Sequence, residues 1–136
     1  MREVFEEQLD SVFNDLAGIS RSVQTAVAQA TQALMTGDVT IAEQVISADI
    51  EIDRARERVE ETAFELLSLQ APVAGDLRTV VAALRMVSEL ERMGDLSVHV
   101  AKIARLRVPD IAVPEQVRPT MSRMAQVAED LSLIHI

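Results

Sequence analysis

Apolar residues recur every three or four positions along three long stretches of the chain, and a short break separates each stretch from the next. This spacing places the apolar side chains on one face of an α-helix, so each stretch predicts a long amphipathic helix. The stripes run from Phe5 to Ala33, from Val45 to Leu66 and from Leu77 to Ala101. Three helices of similar length with apolar faces favour an all-α fold, an antiparallel three-helix bundle.

The ends of these helices are also marked in the sequence. Gly37 is expected to end the first helix, because glycine readily adopts the left-handed conformation that follows a helix C-terminus. Asp38 or Thr40 is a plausible N-cap for the second helix, predicted over about residues 39–69. The third helix is predicted over about residues 73–106.

Four carboxylates are expected to meet on the hairpin formed by the second and third helices. Asp49 and Asp53 lie four residues apart on one helix, and Glu91 and Asp95 lie four apart on the other, so each pair shares a helix face. The short break at residues 70–74 makes the helices antiparallel and puts the two pairs at the same level. Such oxygen ligands suit a divalent or trivalent metal ion.

Two other interpretations of these carboxylates are open. A chain this acidic commonly has a solvated acidic surface, and Arg54, Arg56 or Arg92 could neutralise the group through ordinary ion pairs. Glu91 favours a functional site, because it falls on the predicted apolar stripe, where an unpaired charge is costly to bury.

Two further residues are candidate peripheral ligands. Glu60 follows Asp53 by seven residues and so lies on a similar helix face. His99 lies one turn beyond Asp95 and could add a nitrogen ligand, although a lone histidine on a helix is more often an ordinary polar residue.

Composition excludes several classes of function. The 136 residues carry a net charge of −9, which disfavours nucleic acid as a partner, and the lack of cysteine excludes thiolate metal sites and suits a reducing cytoplasm. No apolar run is long enough to predict insertion into a membrane. There is no glycine-rich phosphate loop and no Glu-x-x-His pair of the kind that diiron bundles use, so we expect no enzyme activity.

A fourth amphipathic run begins at Glu115 and resembles the first helix at an offset of 108 residues. We therefore predict a three-helix repeat over 1–108, and a linker with the first helix of an incomplete second repeat over 109–130. Residues 131–136 match the translation of a common sequencing adapter and are expected to be a non-native tail. His135 is accordingly not counted as a ligand.

Four segments resemble the PhoU family of bacterial phosphate-signalling accessory proteins. They are Pro72–Arg78, Glu89–Asp95, Ala101–Ala104 and, more generally, Ile46–Asp53. The Glu-Arg-Met-Gly-Asp run within the second segment is the most specific of these matches. The resemblance covers about residues 1–130.

This resemblance implies a cytoplasmic, non-enzymatic regulator built from three-helix repeats. Such proteins act between the ATPase subunit of a phosphate ABC transporter and a sensor histidine kinase, and they restrain the phosphate-starvation response when phosphate is plentiful. Some members bind iron, zinc or other metals through acidic motifs, and many form homodimers. In this chain the resemblance implies an iron, zinc, manganese or magnesium ion at Glu91 and Asp95, with Asp49 and Asp53 facing them. A homodimer is expected for the full-length protein.

Two alternatives to this function are open. A generic helical interaction module, whose acidic face binds a basic partner without metal, fits the apolar stripes equally well. A metalloenzyme of the diiron class is the third interpretation, and the missing Glu-x-x-His pairs count against it.

Overall fold

The computed structural model describes residues 2–134 and shows an all-α protein, as the apolar periodicity predicts. Four α-helices and one 3₁₀ helix occur in this range, and no strand does. The elements are α1 (Arg2–Thr36), α2 (Val39–Leu69), α3 (Ala74–Arg107), a 3₁₀ helix (Glu115–Val117) and α4 (Arg118–Ile134). Within the same range, no helix combines the length and apolar character needed to cross a membrane.

The junction between α1 and α2 uses the residues that the sequence marks. Gly37 adopts a φ of +70°, and its N–H donates a hydrogen bond of 2.8 Å to the carbonyl of Ala33. The side chain of Asp38 then accepts a hydrogen bond of 3.1 Å from the N–H of Ile41. A left-handed glycine and a carboxylate cap thus reverse the chain within two residues.

The α2–α3 hairpin reverses over residues 70–73. Ala71 and Ala74 have positive φ angles of 42° and 52°, a conformation that makes a tight reversal possible in so few residues. Helix α3 therefore begins at Ala74, one residue later than the predicted start. The reversal makes α2 and α3 antiparallel, as the hairpin prediction requires.

The core of the bundle consists of two apolar clusters. The larger one is nearer the α2–α3 turn and includes Leu16 and Leu66, while the smaller, alanine-rich one is nearer the α1–α2 junction and includes Ala33 and Ala101. The larger cluster reaches along α2 to Ile52, and the smaller one reaches Val45. The predicted carboxylate level therefore lies between the two clusters.

Three positions of the predicted stripes are wrong. The apolar spacing assigns Ala48 to the stripe of α2, between Val45 and Ile52, but Ala48 is exposed. Leu77, the first position of the α3 stripe, is 41% exposed. Leu90 is fully buried in the core, whereas Glu91 is half-buried at its edge. Spacings of three and four both satisfy the helical period, so the partner helix decides which neighbour turns inward. For the same reason Asp49, rather than Ala48, lies on the inner side of α2.

Helix α4 packs along α1. The buried hydroxyl of Ser20 donates a hydrogen bond to the backbone carbonyl of Ser132, and Val113 of the connecting segment is buried in the alanine-rich cluster. The division into 1–108 and 109–130 stays a prediction, as does the non-native origin of 131–136. Residues 135 and 136, including the discounted His135, lie outside the described residues.

Candidate functional site

The candidate site lies where Gly94 of α3 packs against α2. Gly94 is buried and has no side chain, so a Cβ added there would lie 3.4 Å from Asp49 Oδ1 and 3.6 Å from the side chain of Ile52. Gly94 directly precedes Asp95 and follows Glu91 by three residues. The helix contact therefore brings the inner face of α2 against the acidic segment of α3.

The surroundings of Asp49 raise the pKa of its carboxyl. Asp49 is half-buried, and burial is the main cause that raises the pKa of its carboxyl. The negative charges of Asp53 on the same helix and Asp95 on α3 raise it further, while Lys102 lowers it in part. Asp49 thus interacts with carboxylates of both helices, as the predicted face-to-face arrangement requires.

The most strongly connected residue of the site is Arg56, which is only 22% exposed. Its guanidinium nitrogens lie 3.0 Å from a carboxylate oxygen of Glu60, 3.5 Å from Glu91, 3.8 Å from Asp53 and 3.9 Å from Glu57. Three of these acids share α2 with Arg56, and Glu91 belongs to α3. One guanidinium therefore links the two helices at the level of the predicted site.

The nitrogens of the Arg56 guanidinium differ in their hydrogen bonding. Nη1 donates a hydrogen bond of 3.0 Å to Glu60. The Nε–H is buried and finds no hydrogen-bond acceptor among residues 2–134, although it faces carboxylates of Glu91 and Asp53. Burial lowers the pKa of Arg56, but the Glu60 hydrogen bond and the surrounding negative charges outweigh it and raise this pKa. Arg56 is therefore a permanent cation whose buried Nε–H has no acceptor within the described part of the chain.

Glu91 remains destabilised as an anion despite this neighbour. Burial is the largest cause that raises the pKa of Glu91, and the charges of Asp95, Asp53 and Glu60 add to it, while Arg56 opposes the shift. The net direction is upward. The positive charge of Arg56 thus does not offset the combined effect of burial and the neighbouring carboxylates on the pKa of Glu91.

The remaining candidates have different surroundings. Glu60 accepts a hydrogen bond from Arg56, which in turn contacts Asp53 and Glu91. Asp95 and His99 are exposed on α3. In the part of the chain that the structure describes, no three Asp, Glu or His side chains converge closely enough to hold an ion as they stand. The metal-ligand set of Asp49, Asp53, Glu91 and Asp95 therefore stays a prediction.

The sequence named Arg56 only as one of three possible counter-ions. The helical spacing could have identified Arg56 as the counter-ion. Arg56 follows Asp53 by three residues and precedes Glu60 by four, which places all three on one helix face. Arg54 points elsewhere and forms an exposed ion pair of 2.9 Å with Glu51. Helical spacing thus separates the two arginines, but the contact between Arg56 and α3 required the three-dimensional packing.

The chemistry of the donor set fits a hard cation. All four predicted ligands are carboxylates, which are preferred by magnesium, manganese and ferric ions, and they come from two helices that pack closely at Gly94. Their arrangement is less favourable, because the guanidinium of Arg56 contacts two of them. A metal ion would need these same oxygens.

Most of the chain matches a known protein family. A family model described as the PhoU domain matches residues 16–104. The chain belongs to the PhoU family. The matched range contains all of α2, nearly all of α3 and the whole group of candidate residues.

Curated relatives agree with this membership. The chain is 47% identical over 131 residues to the phosphate-specific transport system accessory protein PhoU homolog 2 of Mycobacterium tuberculosis, covering 96% of this chain and 62% of the relative. It is 44% identical to PhoU homolog 1 of Mycobacterium leprae, with 96% and 59% covered. Its identity to the PhoU homolog of Rhizobium meliloti is 28%, with 91% and 52% covered.

The chain thus spans between half and two thirds of the length of these relatives. No solved structure matched it.

Proposed function

We propose that this PhoU-family chain is part of a regulator of phosphate uptake and of the phosphate-starvation response. The support is its membership of the family and its likeness, over nearly its whole length, to relatives named as accessory proteins of a phosphate-specific transport system. The chain acts by binding other proteins and not as an enzyme. It works in the cytoplasm and restrains the starvation response when phosphate is plentiful.

Its proposed partners are the ATPase subunit of a phosphate ABC transporter and a sensor histidine kinase, between which it serves as an adaptor. The full-length protein is proposed to form a homodimer. Immobilised 136-residue chain should bind the purified ATPase subunit and the soluble part of the kinase, and should not bind an ATPase subunit from an unrelated ABC transporter. Equal binding to both ATPase subunits, or to neither, would show that the adaptor role is wrong for this chain.

The proposed regulator also binds a divalent or trivalent metal ion, such as iron, zinc, manganese or magnesium. The ligands are Asp49, Asp53, Glu91 and Asp95, with Glu60 and His99 as peripheral candidates. The observation that carries this proposal is the close packing of α2 on α3 at Gly94, with carboxylates from both helices beside it. Like charges at such a level need a counter-ion, and a metal ion supplies more charge than one arginine.

Calorimetric titration with Mn²⁺ tests the metal site. The double variant Asp53→Asn/Glu91→Gln should lose Mn²⁺ binding, because it removes one carboxylate from each helix. The control Glu65→Gln/Glu89→Gln removes the same charge from exposed positions of the same two helices and should bind as the unmodified chain does. If the two double variants bind Mn²⁺ equally, the ion is held by surface charge and the proposed ligands are wrong.

A second candidate is an acidic interaction module that binds no metal. The observation in its favour is Arg56, which already neutralises part of the carboxylate group. This candidate predicts partner binding that does not change when the protein is treated with EDTA. The metal-binding adaptor predicts that EDTA weakens partner binding and that Mn²⁺ restores it.

A further inference from the structure

We propose that Arg56 is a built-in competitor of the metal ion: its guanidinium holds carboxylates of α2 and α3 together, and an ion binds there only when this side chain moves away. This inference rests on the proposed metal site and concerns its regulation. It assigns a role to a residue that supplies no ligand atom.

The contacts of Arg56 are those of a bridging counter-ion. Its nitrogens lie 3.5 Å from Glu91 on α3 and 3.8 Å from Asp53 on α2, and these two acids are proposed ligands. A bound cation would require carboxylate oxygens at about 2.0–2.6 Å from its centre. Oxygens drawn in to that distance leave no room for a guanidinium between them. Arg56 and the ion are therefore alternative occupants of one place.

The same contacts show that Arg56 can be displaced. Only Nη1 makes a hydrogen bond, to Glu60, and the buried Nε–H has no acceptor among residues 2–134. A guanidinium binds a carboxylate best when two parallel donors meet its two oxygens, and Arg56 has no such pair of contacts with any carboxylate of residues 2–134. With its long side chain, Arg56 can turn outward on α2 and leave Asp53 and Glu91 to a metal ion.

Arg54 offers a matched control for this hypothesis. It lies two residues away on the same helix, carries the same charge and is 64% exposed. Its ion pair is with Glu51, which is not a candidate ligand. Changing either arginine to glutamine makes the chain more acidic by one charge. A difference between the two variants therefore measures the local role of Arg56 and not the general attraction of cations to an acidic protein.

The test is titration of the 136-residue chain with Mn²⁺, comparing the unmodified protein with Arg56→Gln and Arg54→Gln. We expect Arg56→Gln to bind Mn²⁺ about tenfold more tightly than Arg54→Gln, within the usual range of coupling between two competing ligands. Binding by Arg56→Gln when the other two proteins do not bind would support the proposal most strongly.

The titration distinguishes failure of the competition between Arg56 and the ion from failure of the metal site itself. If the unmodified chain binds Mn²⁺ and Arg56→Gln binds it equally or more weakly than Arg54→Gln, the competition is wrong and the metal site stands. If none of the three proteins binds Mn²⁺, the metal site is wrong and this inference fails with it.

Thermal melting gives a second readout, because the metal-free melting temperature measures what Arg56 contributes to stability and the rise with Mn²⁺ reflects metal affinity. Without metal, Arg56→Gln should melt at a lower temperature than Arg54→Gln, because Glu60 and Glu91 lose their counter-ion. Saturating Mn²⁺ should raise the melting temperature of Arg56→Gln more than that of Arg54→Gln. Should Arg56→Gln fail to fold by circular dichroism, Arg56→Lys retains the charge but replaces the planar donor fork with one ammonium. Mn²⁺ affinity of Arg56→Lys no higher than that of the unmodified chain would overturn the proposal.

Discussion

Gly94 determines how Asp49 is exposed to water. Because Gly94 lacks a side chain, α3 approaches α2 and half-buries a carboxyl that would otherwise face solvent. Burial and the charges of Asp53 and Asp95 then raise the pKa of Asp49. At this position a carboxylate costs stability in the metal-free protein, which is typical of residues retained for a function.

Replacing Asp49 by asparagine should therefore stabilise the metal-free chain at neutral pH. A raised pKa means that the folded state binds the proton more tightly than the unfolded state does. The ionised carboxylate consequently lowers stability as pH rises above its ordinary value of 3.8, and this cost is fully present above the folded-state pKa. Asparagine is neutral throughout, so the gain in melting temperature should appear at neutral pH and vanish well below 3.8.

Melting curves in EDTA across this pH range measure the difference. Asp10→Asn, at an exposed position of α1, makes the same chemical change outside the site. At each pH its melting temperature should be nearly equal to that of the unmodified chain. A lower melting temperature of Asp49→Asn at neutral pH would show that the carboxylate makes a stabilising contact.

Glu91 provides a second test at a single residue. The raised pKa of Glu91 shows that burial disfavours its ionised form, and the hydrogen bond of Arg56 to Glu60 does not involve Glu91. Glu91→Leu should consequently melt at the same or a higher temperature in EDTA, with a change in unfolding free energy within about 1 kcal/mol, and should lose Mn²⁺ affinity. Glu89→Leu, on the exposed side of α3, should retain that affinity. A clearly less stable Glu91→Leu protein would contradict the idea that this carboxylate is kept for binding.

The helices themselves could be predicted closely from the sequence, because their ends depend on local chemistry. Gly37 and Asp38 act within one turn of the chain, so the start of α2 at Val39 needs no knowledge of the packing. The inward position of Asp49 and the contact between Arg56 and α3 depend on the neighbouring helix. A period of 3.6 residues does not determine whether the third or fourth neighbour faces inward. The antiparallel pairing of α2 with α3 was therefore predictable, but the contact between Arg56 and α3 was not, and the metal site itself stays a prediction.

Two glycines at helix ends, Gly37 between α1 and α2 and Gly75 in α3, should respond oppositely to substitution by alanine. Gly37→Ala should lower the free energy of unfolding by about 1 kcal/mol, because a Cβ disfavours its φ of +70°. A Cβ there would be 3.7 Å from its nearest atoms, so strain and not collision is the cause. Gly75→Ala, in the first turn of α3 with no atom within 4 Å, should be neutral or raise stability by up to about 1 kcal/mol. Urea denaturation measures both, and equal effects would show that backbone conformation is not decisive at residue 37.

At the scale of the whole molecule, α1, α2 and α3 supply nearly all of the buried apolar core, and α4 packs on α1. The first three helices bury both apolar clusters between them, together with Val113 of the connecting segment. Helix α4 packs on α1 but leaves much of its apolar side uncovered, since Met124 and Val127 are 61% and 58% exposed. Val117, in the 3₁₀ helix that precedes α4, is 45% exposed. Exposed apolar side chains in a row promote association between molecules.

Truncation tests this division of the molecule. A chain of residues 1–114 retains Val113, which is only 5% exposed, and loses all of α4. It should keep its helical content and cooperative melting, and light scattering should show less association than in the 136-residue chain. A chain of residues 1–108 also loses Val113, and burial of a valine side chain contributes roughly 1.5–3 kcal/mol. The shorter chain should therefore fold but be less stable than 1–114 by about that amount.

The two truncations separate the roles of the connecting segment and α4. If 1–114 unfolds or associates more than the 136-residue chain, α4, which reaches the buried Ser20 through Ser132, belongs to the first bundle. The repeat boundary at residue 108 would then be wrong. If 1–114 is stable and 1–108 is not, the bundle needs the connecting segment as far as Val113.

The carboxylate level lies between the two clusters, so stable truncated protein should also bind Mn²⁺ with the affinity of the 136-residue chain. Loss of that affinity on removal of α4 would place part of the metal site outside the α2–α3 hairpin.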